Sequence, residues 1–131
     1  MPAMSKTATI GCVTTIAICL ASSQAFAQDA AHVQPRTYKV VVDNAKMRVL
    51  EYNAKPGMGV CGVGIHSHPD HLTVLLTAAK VRVTVGGHSE IIEGKAGDSF
   101  WEPAVTHEVE NLGGANVRSL IIETKTPGRA K

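Results

Sequence analysis

Three histidines, His66, His68 and His71, fall inside the ten residues GVGIHSHPDH (62–71) of a chain that holds six histidines in all. In an extended strand, side chains two positions apart share a face, so His66 and His68 point the same way if this stretch is β. Two imidazoles so placed can converge on one divalent ion at about 2.0–2.1 Å each, the bond length such an ion takes from nitrogen. A third ligand must then come from elsewhere in the chain. The best candidate is His107: along 105–111 the odd positions read Val, His, Val, Asn and the even ones Thr, Glu, Glu. Val105 and Val109 mark the odd face as buried, which carries His107 inward to where a metal would account for it.

The elements that must position these rings are short and β-rich. From Tyr38 onward the sequence runs through YKVVV, MRVLEY, LTVLLT, KVRVTV, SEIIE, SFWE, THEVEN and VRSLIIET, broken by Lys55-Pro56-Gly57, Gly86-Gly87, the stretch 94–98 and Gly113-Gly114. Nearly every run is four to eight residues long and several alternate, the pattern of strands with one buried face. In KVRVTV the apolar set is Val81, Val83 and Val85, with Lys80, Arg82 and Thr84 between them. No segment sustains a helical period over ten residues or more. The pattern predicts an all-β sandwich or barrel.

Residues 1–27 read as a signal peptide: Lys6, an apolar run from Ala8 to Leu20, and Ala25-Phe26-Ala27 as the cleavage signal. The apolar run is shorter than the roughly 20 residues of a membrane-spanning helix. The expectation is a periplasmic or secreted protein, cut after Ala27, with no stable membrane association. What remains is roughly 100 residues, the size of one domain: a loose arm over 28–36 carrying His32, a barrel over 37–126 and a tail over 127–131. The net charge of +2 comes without any basic block, so neither nucleic acid nor an anionic membrane surface is an expected partner. Cys12 and Cys19 leave with the signal, and Cys61, alone, cannot form a disulfide within the domain. It is read as a small buried apolar residue, with a redox-active thiol or an intermolecular disulfide as the alternatives.

On these residues the chain resembles the cupin superfamily, in particular its small, single-domain, RmlC-like cupin-2 members. The first cupin motif has the form G-x5-H-x-H-x3-4-E-x6-G, and here Gly62 precedes His66-Ser67-His68-Pro69 at nearly that spacing. The second has the form G-x5-P-x-G-x2-H-x3-N, matched by Gly97, Pro103, His107 and Asn111 in GDSFWEPAVTHEVEN. The similarity spans about residues 45–124. It implies a jelly-roll barrel, the double-stranded β-helix, with a metal in its mouth held by His66, His68 and His107. Three positions depart from the pattern. The loop after His68 is shortened and brings His71 to the place of the motif glutamate, as a fourth ligand or as a base beside the ion. The glycine between Pro103 and His107 is missing, and Thr77-Ala78 stands where a glycine usually closes the strand.

Around this core, Asn111 is expected to orient a ligand by a hydrogen bond, and Trp101 to line the pocket or to fill the core. Glu102 is the one acidic residue of the second motif beside the site, with an exposed strand position as its other reading. His71 also suits a solvent-facing loop, and His88 and His32 are expected to be exposed. The cofactor implied is one divalent transition metal: zinc, iron, manganese, nickel or copper. Export favours copper and zinc, which bind nitrogen-rich sites more tightly than iron or manganese. Two functions follow from the resemblance: a metal-dependent, dioxygenase-like enzyme acting on a small organic molecule, or a non-catalytic module that binds metal or a small ligand. Open sheet edges in so small a barrel further suggest a homodimer.

Overall fold

A computed structural model describes residues 28–58 and 64–125; the expected signal peptide, Gly62, Cys61 and the C-terminal tail lie outside the described residues. The described chain opens with a four-residue helix, α1 (Ala30–Val33), followed by β1 (Tyr38–Asp43), β2 (Met47–Ala54), β3 (His66–His68), β4 (His71–Leu75), β5 (Ala79–Val85), β6 (His88–Gly94), β7 (Ser99–Glu102), β8 (Val105–Asn111) and β9 (Val117–Thr124). Five strands form one sheet in the order β1-β2-β9-β4-β7, and four form a second in the order β3-β8-β5-β6. Every pair is antiparallel. The all-β jelly roll expected from the sequence is the fold observed.

The turns follow from local chemistry. Asn44 folds its side-chain oxygen back to accept from the backbone N–H of Lys46 and Met47, which closes the β1–β2 hairpin. Gly86 and Gly87, at φ 55° and 82°, form the two-residue turn between β5 and β6. Both positions need the left-handed backbone that glycine adopts without steric cost.

Strand β9 is the centre of the larger sheet. It pairs with β2 over eight residues, from Met47↔Thr124 to Ala54↔Val117, and with β4 on its other side. Its burial alternates strictly, with Val117, Ser119, Ile121 and Glu123 inward. Val117 and Ile121 join Tyr38, Leu50, Tyr52, Ala54 and Ala30 in one cluster of buried residues. The smaller sheet is looser. Val81 and Val83 are only half-buried, because the space they face is a cavity rather than packed side chains.

The expected loose arm is not loose. Asp29 caps α1 through a 3.1 Å bond to the backbone N–H of His32 and forms an ion pair with Arg48 of β2. The carbonyl of Gln28 accepts from the N–H of Ser67 at 2.8 Å, and Asp29 makes a bridge to the same strand. The arm thus lies along β3, and Ala30 beneath it is fully buried.

Leu50, fully buried at the middle of β2, tests the core. Leu50→Ala should cost about 2–5 kcal/mol, the range for deleting a packed core leucine. Urea unfolding of both proteins measures this, and a loss under about 1 kcal/mol would mean that β2 does not face a packed interior.

Candidate metal centre

His66 and His68 stand on β3, and His107 is the direct cross-strand partner of His66 on β8. The two-residue spacing and the strand register therefore put three rings on one face of one sheet. All three are buried, at 1%, 3% and 6% exposure, and each offers a ring nitrogen within 4.8 Å of the others'. The ring centroids lie 4.8–5.4 Å apart, edge to face.

Hydrogen bonds from behind fix the tautomers. His68 Nδ1 lies 2.7 Å from Glu123 Oε1; a carboxylate accepts, so Nδ1 carries the proton and Nε2 presents its lone pair. His66 Nδ1 donates in the same way to the carbonyl of Gly64 at 2.5 Å, leaving the Nε2 lone pair, which accepts from the Tyr38 hydroxyl at 3.0 Å. The Nε2 atoms of His68 and His107 are buried and have no hydrogen-bond partner among the described residues. A buried polar nitrogen left unpaired costs free energy, and a divalent ion at the meeting point removes that cost. The residues present fit a transition metal held by three neutral imidazoles.

The opposite sheet braces this cluster. Arg48, Glu123, His71 and Glu102 are direct register partners across β2, β9, β4 and β7, so one polar row crosses four strands on the inner face. Glu123, nearly buried, takes 2.8 Å contact from Arg48 Nε on one oxygen and His68 on the other. Burial works against its charge, but these two hydrogen bonds and the guanidinium outweigh it and hold the carboxyl below its usual range. Through Glu123 the two sheets are joined at the histidine cluster. A carboxylate behind a ligating histidine fixes ring orientation and raises its basicity.

His71 belongs to that row and not to the ligand set. Its Nδ1 faces the carbonyl of Pro69 at 2.7 Å and its Nε2 faces Glu102 Oε2 at 2.8 Å. Both partners accept only, so both ring nitrogens donate and the ring is an imidazolium with no lone pair for a metal. Burial opposes this charge, yet the Glu102 and Pro69 bonds overcome it and raise the pKa, while the same bond lowers that of Glu102. The structure groups His71 with Glu102 and not with the three clustered histidines, and the solvent-facing expectation is corrected, since the ring is 1% exposed.

Other expectations divide similarly. Trp101 is 60% exposed and lines the cavity mouth, so it is not core. Asn111 does not touch the histidines: it donates to the carbonyls of Ala54 and Ala115 and accepts from the N–H of Gly113, tying the β8–β9 turn. Glu102 is a cavity-wall residue paired with His71 rather than an exposed strand glutamate. His88 and His32 are exposed. Cys61 lies outside the described residues. Sequence reasoning missed Glu123 and Arg48. The signal for Glu123 was present, since it continues the inward alternation Val117, Ser119, Ile121.

His68 and His107 open onto a cavity of about 310 Å³. Its deep wall carries Tyr38, Tyr52, His71 and Glu102, and its outer wall is apolar, with Val83, Ile92, Phe100 and Trp101 among the lining residues.

A closed pair of antiparallel sheets with histidines converging at one end defines a double-stranded β-helix with a metal-type mouth. Solved structures carry the same architecture. A cupin domain from Bordetella pertussis Tohama I superposes with a TM-score of 0.61 at 26% identity, covering 68% of this chain and 92% of that one. An RmlC-like cupin family protein with a double-stranded β-helix fold from Methanocaldococcus jannaschii gives 0.53 at 11% identity, covering 67% and 78%. No protein-family profile matches the sequence, and no curated protein does. The chain is a cupin by fold.

Burial holds His66 down at about 4 and His107 at about 3, each reinforced by repulsion from neighbouring histidines. The unfolded chain, with histidines near 6.5, binds protons that these two folded rings refuse, so stability falls as pH drops from 6.5 towards 4. His71, raised above 6.5, keeps its full contribution throughout that window. The melting temperature of metal-free protein should therefore decline between pH 6.5 and 4.5, and decline less in His107→Gln. A flat profile would show that the rings are not held neutral.

Proposed function

We propose that this protein binds one divalent transition metal through His66, His68 and His107 and uses it to take up a small organic molecule in the adjoining cavity. The observation that carries this reading is the convergence of three buried imidazole nitrogens, two of them unpartnered, with His68 and His107 lining a cavity whose outer wall is apolar. Three neutral ligands leave open coordination positions, and a bound ion supplies Lewis-acid polarisation there or, for iron or copper, chemistry with dioxygen.

Between enzyme and binding module, the His71–Glu102 pair favours the enzyme. A module that only binds needs no charged pair in its cavity wall. This one holds an imidazolium and a carboxylate 2.8 Å apart beside the metal cluster, where Glu102 can accept a proton from a substrate and His71 can return one. The apolar outer wall selects a substrate with an apolar body and excludes bulk water from it. The reaction class proposed is metal-dependent and dioxygenase-like.

Metal content tests the site directly. Protein purified from its native compartment should carry about one equivalent of metal, and His66→Ala, His68→Ala and His107→Ala should each bind it at least tenfold more weakly. His71→Ala should keep its metal and lose turnover, and His88→Ala should change neither. Full metal occupancy in the His66→Ala and His107→Ala proteins at neutral pH would refute the assignment.

The proposed setting is extracytoplasmic. The Ala25-Phe26-Ala27 signal motivates it, and among the described residues no helix is long and apolar enough to cross a membrane. A dimer is proposed through β1, the edge of the larger sheet, where Val40, Val41 and Val42 are 41–46% exposed. The bulge at Val41 interrupts the ladder, so contact would come from valine side chains rather than added strand pairing. The exported product should begin at Gln28 and scatter light as a dimer; an intact Met1, or a monomer at micromolar concentration, would remove the respective claim.

A further inference from the structure

Two tyrosines, the only two in the chain, face the cavity from adjoining strands. Tyr38 on β1 and Tyr52 on β2 are direct register partners, their rings lie 5.1 Å apart, and they are 2% and 5% exposed. Neither hydroxyl is settled. Tyr52 Oη is buried with no hydrogen-bond partner among the described residues. Tyr38 Oη donates to His66 Nε2, which is the one lone pair that His66 has left, because its Nδ1 proton is committed to Gly64. A neutral imidazole cannot give that lone pair to a hydroxyl and to a metal at once.

Metal binding at His66 therefore strips Tyr38 of its acceptor, and the site then holds two buried phenol donors with no acceptor among the described residues. A buried hydroxyl left unpaired is unfavourable. The lone pairs of His68 and His107 cannot serve, since they too turn to the ion. The cavity that both rings line is the route by which an acceptor can reach them.

Resting on the metal reading above, we propose that Tyr38 and Tyr52 form a paired-hydroxyl subsite that takes the carboxylate headgroup of an apolar-bodied small acid. Two phenol donors on rings 5.1 Å apart can serve the two oxygens of one carboxylate, and both phenols keep their protons. The cation held by uncharged imidazoles favours an anionic headgroup over a neutral one. The apolar body lies towards Val81, Val83, Ile92 and Trp101, which line the outer cavity. The tyrosines act by binding and orienting this headgroup.

Co(II)-loaded protein, titrated with cyclohexanecarboxylate and followed by its visible d–d bands, tests the proposal without reference to turnover. Tyr52→Phe should weaken the carboxylate roughly tenfold to a hundredfold, the effect of losing a hydrogen bond to a charged group, with Co(II) affinity unchanged. Tyr38→Phe should weaken it similarly, yet bind Co(II) about fivefold more tightly, because no hydroxyl competes for His66. Neutral cyclohexylmethanol should bind poorly to all three proteins. In unmodified protein, the tyrosine doublet of the ultraviolet resonance Raman spectrum should change on adding Zn(II) and again on adding the carboxylate, a readout that needs no variant to fold. Carboxylate affinity within twofold of wild type in both variants, or an unmoved doublet, overturns the subsite. Weaker Co(II) binding in Tyr38→Phe also overturns it and makes Tyr38 a ligand. Wild-type protein that takes up no Co(II) overturns the metal reading itself, and the subsite with it.

Discussion

The carboxylate of Glu123 is the interaction on which the rest of the site depends. It lies almost fully buried, with Arg48 on one oxygen and His68 on the other. A lone carboxylate at that depth would neutralise itself by taking a proton. Held between a guanidinium and an imidazole N–H it stays charged, and by staying charged it dictates which nitrogen of His68 faces the cavity. Removing Arg48 would leave the buried carboxylate without its countercharge, which is costlier than the pair itself is stabilising. Arg48 is in turn tied to Asp29 beside α1, so the arm before the barrel takes part in orienting a ring at its centre.

The site is built from two sheets that do different work. The smaller sheet provides lone pairs: β3 and β8 set three imidazoles facing one point. The larger sheet provides charge: Arg48, Glu123, His71 and Glu102 alternate in sign across four strands, and each pairs with a neighbour. Neither set is complete alone, since an imidazole cluster without bracing would be free to rotate, and a buried ionic row without a function would be a poor investment of stability. His71 marks the division. It follows the HSH stretch closely in sequence, but Pro69 and Asp70 carry the chain from one sheet to the other, and its ring joins the ionic row.

The architecture and the inward convergence of His66, His68 and His107 were legible in the sequence because both rest on period-two alternation, which is local. Residues 105–111 announced that His107 turns inward, and KVRVTV announced a strand. The remainder depended on register between distant strands, which alternation does not specify. That His71 meets Glu102 and Glu123, or that Asn111 donates its amide to Ala54, follows from pairings made across 31 to 57 positions of sequence. Trp101 misled by composition: a large aromatic in a small barrel suggests core, yet the barrel leaves its mouth open and the indole stands at the rim. The arm of 28–36 misled because its polar residues suggest solvent, whereas its backbone and Asp29 find partners on β3 and β2.

The polar row has a consequence for how the chain finds its fold. In an antiparallel sheet, sliding one strand by a single residue turns every side chain to the opposite face. A slip of β9 would carry Glu123 outward, leave Arg48 and His68 without their shared partner, and bring Ile122 into their place. Such a misregistered barrel could still bury much apolar surface, since Ile121 and Ile122 are adjacent and interchangeable in that respect. It could not assemble the braced imidazole cluster. A ligand that binds only the correctly registered state draws population towards it by mass action, so the ion would serve as a proofreader of strand alignment, rewarding the single pairing in which all four strands agree.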